Sequence, residues 1–200
     1  MSGIKEVLNR PRGVFEIKVI KANELKDGLN QISKQGLVGL DRTKAINEFV
    51  DKAKIDELKK PNLIVQTSHL ILTHLIGQTA STSIPEVTPN NFKITKMRFG
   101  EDGTAPSPTQ TALISPVEKT PSVFDYAVET PEYQNGASPG DLDAIIKFST
   151  LMAGTDGNGV NYQEAGLFAE AGYMFARTTF PLITKTEEIA FSFNWTIIFP

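Results

Sequence analysis

The stretch Ile189–Phe199 constrains this chain more than any other. Ile189, Phe191, Phe193, Trp195, Ile197 and Phe199 fill every odd position, while Ala190, Ser192, Asn194 and Thr196 fill the even ones until Ile198. Side chains alternate faces along a strand, so large apolar residues at period 2 mark a long strand laid across a core. A helix would scatter the same residues around its axis. The chain must therefore build a sheet broad enough to cover that strand.

Other segments supply the rest of the sheet. In Val14–Lys21, Phe15, Ile17 and Val19 alternate with Glu16 and Lys18, the period of a half-buried strand. Phe92–Phe99 and Ile145–Met152 read as two more strands. Ala165–Ala169 and Tyr173–Thr178, separated by Glu170-Ala171-Gly172, read as a hairpin in which Gly172 takes the positive-φ position. Two helices are expected. One starts with Asp41 as N-cap, carries Ala45, Ile46, Phe49, Val50 and Ala53 as an apolar stripe, and ends at the latest before Pro61, giving Asp41–Lys60. The other covers Ser68–Ile76, is capped by Thr67 or Ser68 and stops at Gly77.

Gly77–Asp143 is rich in Thr and Ser and holds most of the twelve prolines. Proline removes a ladder donor, which predicts loops and short edge strands there. The organisation expected is a single domain over 1–200, with a strand plus helices in 1–76, loops in 77–143 and a β-meander in 144–200. The fold class is mainly β with flanking helices (α+β), an antiparallel β-sandwich with two or three helices in the N-terminal third, because the strands follow one another without βαβ alternation.

Twenty basic residues against twenty-three acidic ones leave no positive field to hold a phosphate backbone, so no nucleic-acid partner is expected. No apolar run approaches the roughly 20 residues of a membrane-spanning helix. Met1–Arg10 lacks the apolar core of a secretory signal, so synthesis in the cytoplasm is expected. The absence of cysteine excludes disulfides, thiolate metal sites and cysteine nucleophiles.

Motifs for chemistry are equally sparse. His69 and His74 fall on different faces of a helix and miss the i, i+4 spacing of a zinc pair. Gly154-Thr155-Asp156-Gly157-Asn158-Gly159 invites a calcium-loop reading, but the register puts Ala165 where the bidentate glutamate belongs and Glu164 one residue early. No nucleophile elbow, phosphate loop or dinucleotide fingerprint occurs. Asp125, Glu129 and Glu132 lie in the loop region, where solvated carboxylates are the default. No catalytic, cofactor-binding or metal site is expected.

Two stretches carry a family pattern. Ile94-Thr95-Lys96-Met97-Arg98-Phe99-Gly100-Glu101-Asp102-Gly103-Thr104-Ala105-Pro106, followed by Thr109-Gln110-Thr111-Ala112-Leu113, resembles the N-terminal attachment end of bacteriophage tail-collar fibre proteins. Glu164-Ala165-Gly166-Leu167-Phe168, then Gly172–Arg177, Phe180-Pro181 and Asn194–Phe199, resembles the ending of many phage tail and baseplate proteins. With Asn62–Val65 these matches cover 62–113 and 164–200. The resemblance implies a non-enzymatic virion protein, made in the host cytoplasm and carried on the tail, baseplate or neck (collar). It carries no catalytic residue. With no fibre shaft after Pro200, it implies an adaptor or ring subunit, a homo-oligomer (trimer or ring) that contacts other tail, baseplate and fibre proteins. The helix from Asp41 departs from the family pattern, which makes Phe49, Ile46 and Val50 candidate partner contacts, docked in the helix-in-groove manner. The alternative for that helix is that it covers its own sheet. Phe124, Tyr126 and Tyr133 are candidate contacts from the loops. An alternative function is a carbohydrate-binding β-sandwich that stacks host glycans on Phe124, Tyr126, Tyr133 and Tyr162.

Overall fold

The computed structural model describes residues 12–77, 92–119, 122–123, 125–135 and 144–199. Strand β1 (Arg12–Lys21) runs directly into helices α1 (Ala22–Lys34) and α2 (Gly39–Ala53), followed by β2 (Asp56–Ile64) and α3 (Thr67–Gly77). After β3 (Ile94–Gly100) come the short strands β4 (Glu118–Lys119), β5 (Ser122–Val123), β6 (Tyr126–Ala127) and β7 (Glu132–Asn135). The long strands β8 (Ala144–Met152), β9 (Asn161–Ala169), β10 (Met174–Thr184) and β11 (Ile189–Phe199) complete the chain.

The protein is mainly antiparallel β. One sheet holds nine strands in the order β6-β3-β9-β10-β2-β1-β11-β8-β7, and β4 pairs with β5 apart from it. The sheet curls until its ends nearly meet. Val128 N–H donates to Thr95 O on β3 at 2.9 Å and Glu129 N–H to Ser149 O on β8 at 2.8 Å, so the segment between β6 and β7 ties one end to the other. Inside the curl lies the main core. The rings of Phe99 on β3 and Phe193 on β11 are 4.1 Å apart, and Phe15 on β1 stacks on Phe180 of β10 at 5.8 Å. Trp195 is fully buried, 4.9 Å from the Phe15 ring. The odd-numbered apolar residues of β11 face inward, as their alternation requires.

The ladder between β2 and β10 is short. Only Ile64 and Leu63 pair with Ala176 and Arg177. Next along β2 is Pro61 after Asn62, whose nitrogen has no hydrogen to give, and Thr178 Oγ1 donates to Pro61 O at 3.0 Å in place of a backbone bond. Beyond that point the two strands separate. The remainder of β2 pairs with β1 alone, among the described residues.

Several boundaries differ from the sequence reading. The helix expected over Asp41–Lys60 stops at Ala53, and Asp56–Ile64 is a strand. The apolar stripe ends at Ala53, whereas Leu58 stands opposite Ile17 of β1 and joins the core, a cross-strand contact that local periodicity does not reveal. Asp41 lies in the first turn of the helix, and the cap residue is Val38, which makes no side-chain capping bond. Helix α1 was not anticipated. Leu25, Gly28 and Ile32 form its buried face, a narrow stripe among Asn, Asp, Lys and Gln. The second hairpin arm runs past Pro181 to Thr184, and Gly172 holds φ +87° in the turn.

Helices α1 and α2 cover the outer face of the sheet, whereas α3 sends Ile71 into the main core. Ile20, Leu25, Ile32, Ile46, Val50 and Ala190 make a second apolar cluster between α1, α2, β1 and β11. Polar ties reinforce α2. Asp51 accepts from the buried Lys18 Nζ at 2.6 Å, Arg42 pairs with Glu129, and Asn47 donates to Glu132.

Candidate functional site

The family-like motifs meet on the outer face of β9 and β10. Glu164 on β9 stands opposite Thr179, diagonal to Arg177 on β10, and both charged side chains are wholly buried. Arg177 Nη2 lies 2.7 Å from Glu164 Oε2, and Nε donates to the same oxygen at 2.9 Å. The remaining valences reach into the loop after β3. Arg177 Nη1 donates to Thr104 O at 3.0 Å and to Gln110 Oε1 at 3.2 Å. Glu164 accepts from the backbone N–H of Ser115 at 2.8 Å and of Ile114 at 3.2 Å. Buried charges are tolerated when they are paired and their other donors and acceptors are satisfied; here the loop satisfies Arg177 Nη1 and both Glu164 oxygens, and Nη2 is left to its ion pair with Glu164.

The local sequence fits this seat. A Cβ on Gly100 would come within 2.4 Å of both Glu164 Oε1 and Ser115 O, so no other residue lets the loop close over the glutamate. Leu113 packs with Val65, Phe168 and Met174 beneath the loop. Hydrogen bonds from Thr104, its N–H at 2.7 Å, hold the Asp102 carboxyl below the ordinary aspartate range. Chemically this is a clasp. It presents no exposed acid or base and fixes an extended segment to a rigid sheet.

A second buried charge organises the glycine-rich loop. Lys185 Nζ donates to Gly154 O at 3.1 Å, Asn158 Oδ1 at 3.0 Å and Thr186 O at 2.9 Å. The loop that reads like a calcium site is thus folded around the chain's own ammonium group. Burial pulls the Lys185 pKa below the usual lysine range, against the attraction of Asp156. Next to this loop, Ala22, Lys26, Leu29, Ala153, Thr155 and Glu187 line an open groove of about 750 Å³. Among the described residues, no three His, Asp or Glu side chains stand together as a metal site.

The six candidate contact residues are dispersed. Ile46 and Val50 are buried in the cluster under α2, and Phe49 is half-buried against α1, where a Cβ on Gly28 would come 2.3 Å from its Cζ. The stripe covers its own sheet, and docking it on a partner would require those side chains to leave their present seats. Tyr126 is buried, packed edge-on against Phe99 at 5.4 Å. Tyr162, also buried, shares a side-chain hydrogen bond with Tyr126. Tyr133 is 73% exposed. Phe124 lies outside the described residues. His69 is exposed on α3. The residues that sequence reasoning passed over are Glu164 and Arg177 as a pair. The one signal in the sequence was a single acid in one arm of the hairpin and a single base in the other, on the same face and diagonal to one another in the register.

No family model, curated protein or solved structure matches this chain.

Proposed function

We propose that the protein is a non-enzymatic structural subunit of a phage virion, an adaptor of the tail, baseplate or neck that anchors fibres or closes a ring. The observation that carries this reading is the clasp. The residues on which the resemblance to tail proteins rests, Gly100, Thr104, Gln110, Glu164 and Arg177, converge on one buried network whose work is to hold a surface segment in a fixed shape. Rigid display of a loop suits a subunit that meets the same neighbour many times. We read the curled sheet as a β-sandwich, with β7-β8-β11-β1-β2 facing β6-β3-β9-β10 across the aromatic core. The contact surface we assign to exposed positions near the clasp and the bridging segment, Ile114 and Tyr133, and the partners to further copies and other tail proteins.

Negative-stain imaging of the purified protein alone and of tailed particles labelled with antibody against it tests the proposal. Rings or closed oligomers, with label at the tail, baseplate or neck, support it. Label absent from the particles overturns it. The glycan-binding alternative draws on Tyr133, the one exposed aromatic among the described members of its set, and binding on a glycan array with no particle label would favour it.

A further inference from the structure

Strand β2 leaves one side open. Among the described residues nothing pairs with Asp56–Lys60 on the side away from β1. The backbone direction follows from the register. Ala22 N–H bonds Glu188 O at 2.8 Å in continuation of the β1–β11 ladder, which turns the even residues of β1 toward β11 and the odd ones toward β2. Ile17, opposite Leu58, therefore exchanges bonds with it, and Glu57, Lys59 and Pro61 point their backbone groups outward. Two contacts agree with this. Pro61 O accepts the Thr178 hydroxyl from the far side, and Glu57 N–H meets only the neighbouring Asp56 carboxylate, at 2.7 Å.

The exposed edge reads Ile55-Asp56-Glu57-Leu58-Lys59-Lys60-Pro61, and its charges are self-complementary when it is laid antiparallel on itself. With Leu58 on the two-fold axis, Asp56 faces Lys60 of the second copy, Glu57 faces Lys59, and Ile55, 56% exposed, faces Pro61. Residues directly opposite in an antiparallel pair lie on the same face, so each carboxylate meets an ammonium group on its own side of the sheet. Glu57 and Lys59 supply about four backbone hydrogen bonds, two per facing pair. The pairing also ends itself. Pro61 has no N–H to offer, and that of Ile55 is already bonded to Val19 O at 2.8 Å.

We propose that the β2 edge is a two-fold docking surface for a second copy of this chain, joining the two sheets through Ile55–Pro61. The inference stands on the edge alone and is independent of the virion reading. An edge strand with mixed charge resists pairing with arbitrary strands, and the same charges select a partner that carries the identical pattern.

The test uses the full chain, which holds no cysteine. Leu58→Cys puts a single thiol on the two-fold axis at a non-hydrogen-bonded position, where facing Cβ atoms stand about 4.5–5.5 Å apart. Mild oxidation then links the folded protein into a dimer on non-reducing gels, while Val38→Cys, exposed elsewhere, gives no such link. In parallel, sedimentation velocity follows the dimer without any thiol. Lys59→Glu sets like charges opposite one another twice across the axis and weakens association at least about tenfold. Glu57→Lys/Lys59→Glu restores it. That swap breaks the intrachain pairs Glu16–Lys59 and Lys54–Glu57 and keeps the one between positions 57 and 59, so thermal melting run beside sedimentation separates recovery of the dimer from recovery of the fold. A protein that stays monomeric at high-micromolar concentration, a dimer indifferent to Lys59→Glu, or a folded Leu58→Cys protein that does not cross-link overturns the proposal.

Discussion

Arg177 and Glu164 form an ion pair that solvent does not reach, with Arg177 Nη2 2.7 Å from Glu164 Oε2. Removing one member of such a pair strands the other charge in a medium that cannot solvate it. Arg177→Met is expected to cost about 3–5 kcal/mol, the usual range for a broken buried pair. Chemical denaturation measures the loss. The region from Asp102 to Ser115 should also become the first site of limited proteolysis, because its ties to Arg177 are gone. A variant cut no faster than the parent protein would show that the loop does not depend on the clasp.

Trp195 is the single tryptophan and reports on the core. Trp195→Ala empties a volume bounded by Phe15 and the rest of the inner face and is expected to cost about 3–5 kcal/mol. The intact protein should emit at short wavelength, and the emission should shift red in one step with the unfolding transition. An unchanged melting temperature in the variant would contradict the placement of β11.

Phe49 divides the two roles considered for α2. Its ring sits over Gly28, the close approach that brings α1 and α2 together. Phe49→Asp is expected to lower the stability of the isolated protein by about 2–3 kcal/mol, less than for a fully buried ring. If thermal melting is unaffected, the helix stripe is free for a partner after all.

Alkaline pH should act through two tyrosines. Burial, the largest cause, pushes the Tyr162 phenol up to about 12, and it raises Tyr126 as well. Unfolded tyrosines ionise near 10, so between about pH 10 and 12 the folded protein binds more protons than the unfolded one. Stability is therefore full below pH 10 and falls as pH rises through that window, by about 3 kcal/mol for Tyr162. Tyr126 and Tyr162 should resist ionisation in an ultraviolet titration until the fold is lost.

The glycine-rich loop should behave as a lysine site. Calcium or a chelator is expected to leave the melting temperature unchanged, since Lys185 already occupies the oxygen cage. Lys185→Met orphans three acceptors and is expected to cost about 2–4 kcal/mol, read by thermal melting.

Period-2 runs were legible without the structure, because alternation is local. Ile189–Phe199 and the strand beginning near Val14 stand almost where their residues announced them, as does the turn at Gly172, whose φ of +87° only glycine takes readily. The helical stripe from Ala45 to Ala53 was legible for the same reason, and its end was not. Whether Asp56–Ile64 continues a helix or turns back as a strand depends on β1 lying beside it, a neighbour far along the chain. The functional reading met the same limit. The absence of cysteine excluded thiol chemistry outright, and the charge balance argued against a nucleic-acid partner. It could not show that Glu164 and Arg177 pair, that Lys185 fills its own loop, or that Ile46 and Val50 face inward. A charged or apolar side chain carries no sign of its partner, and only tertiary packing, by removing water from some groups and not others, decides which of them meet.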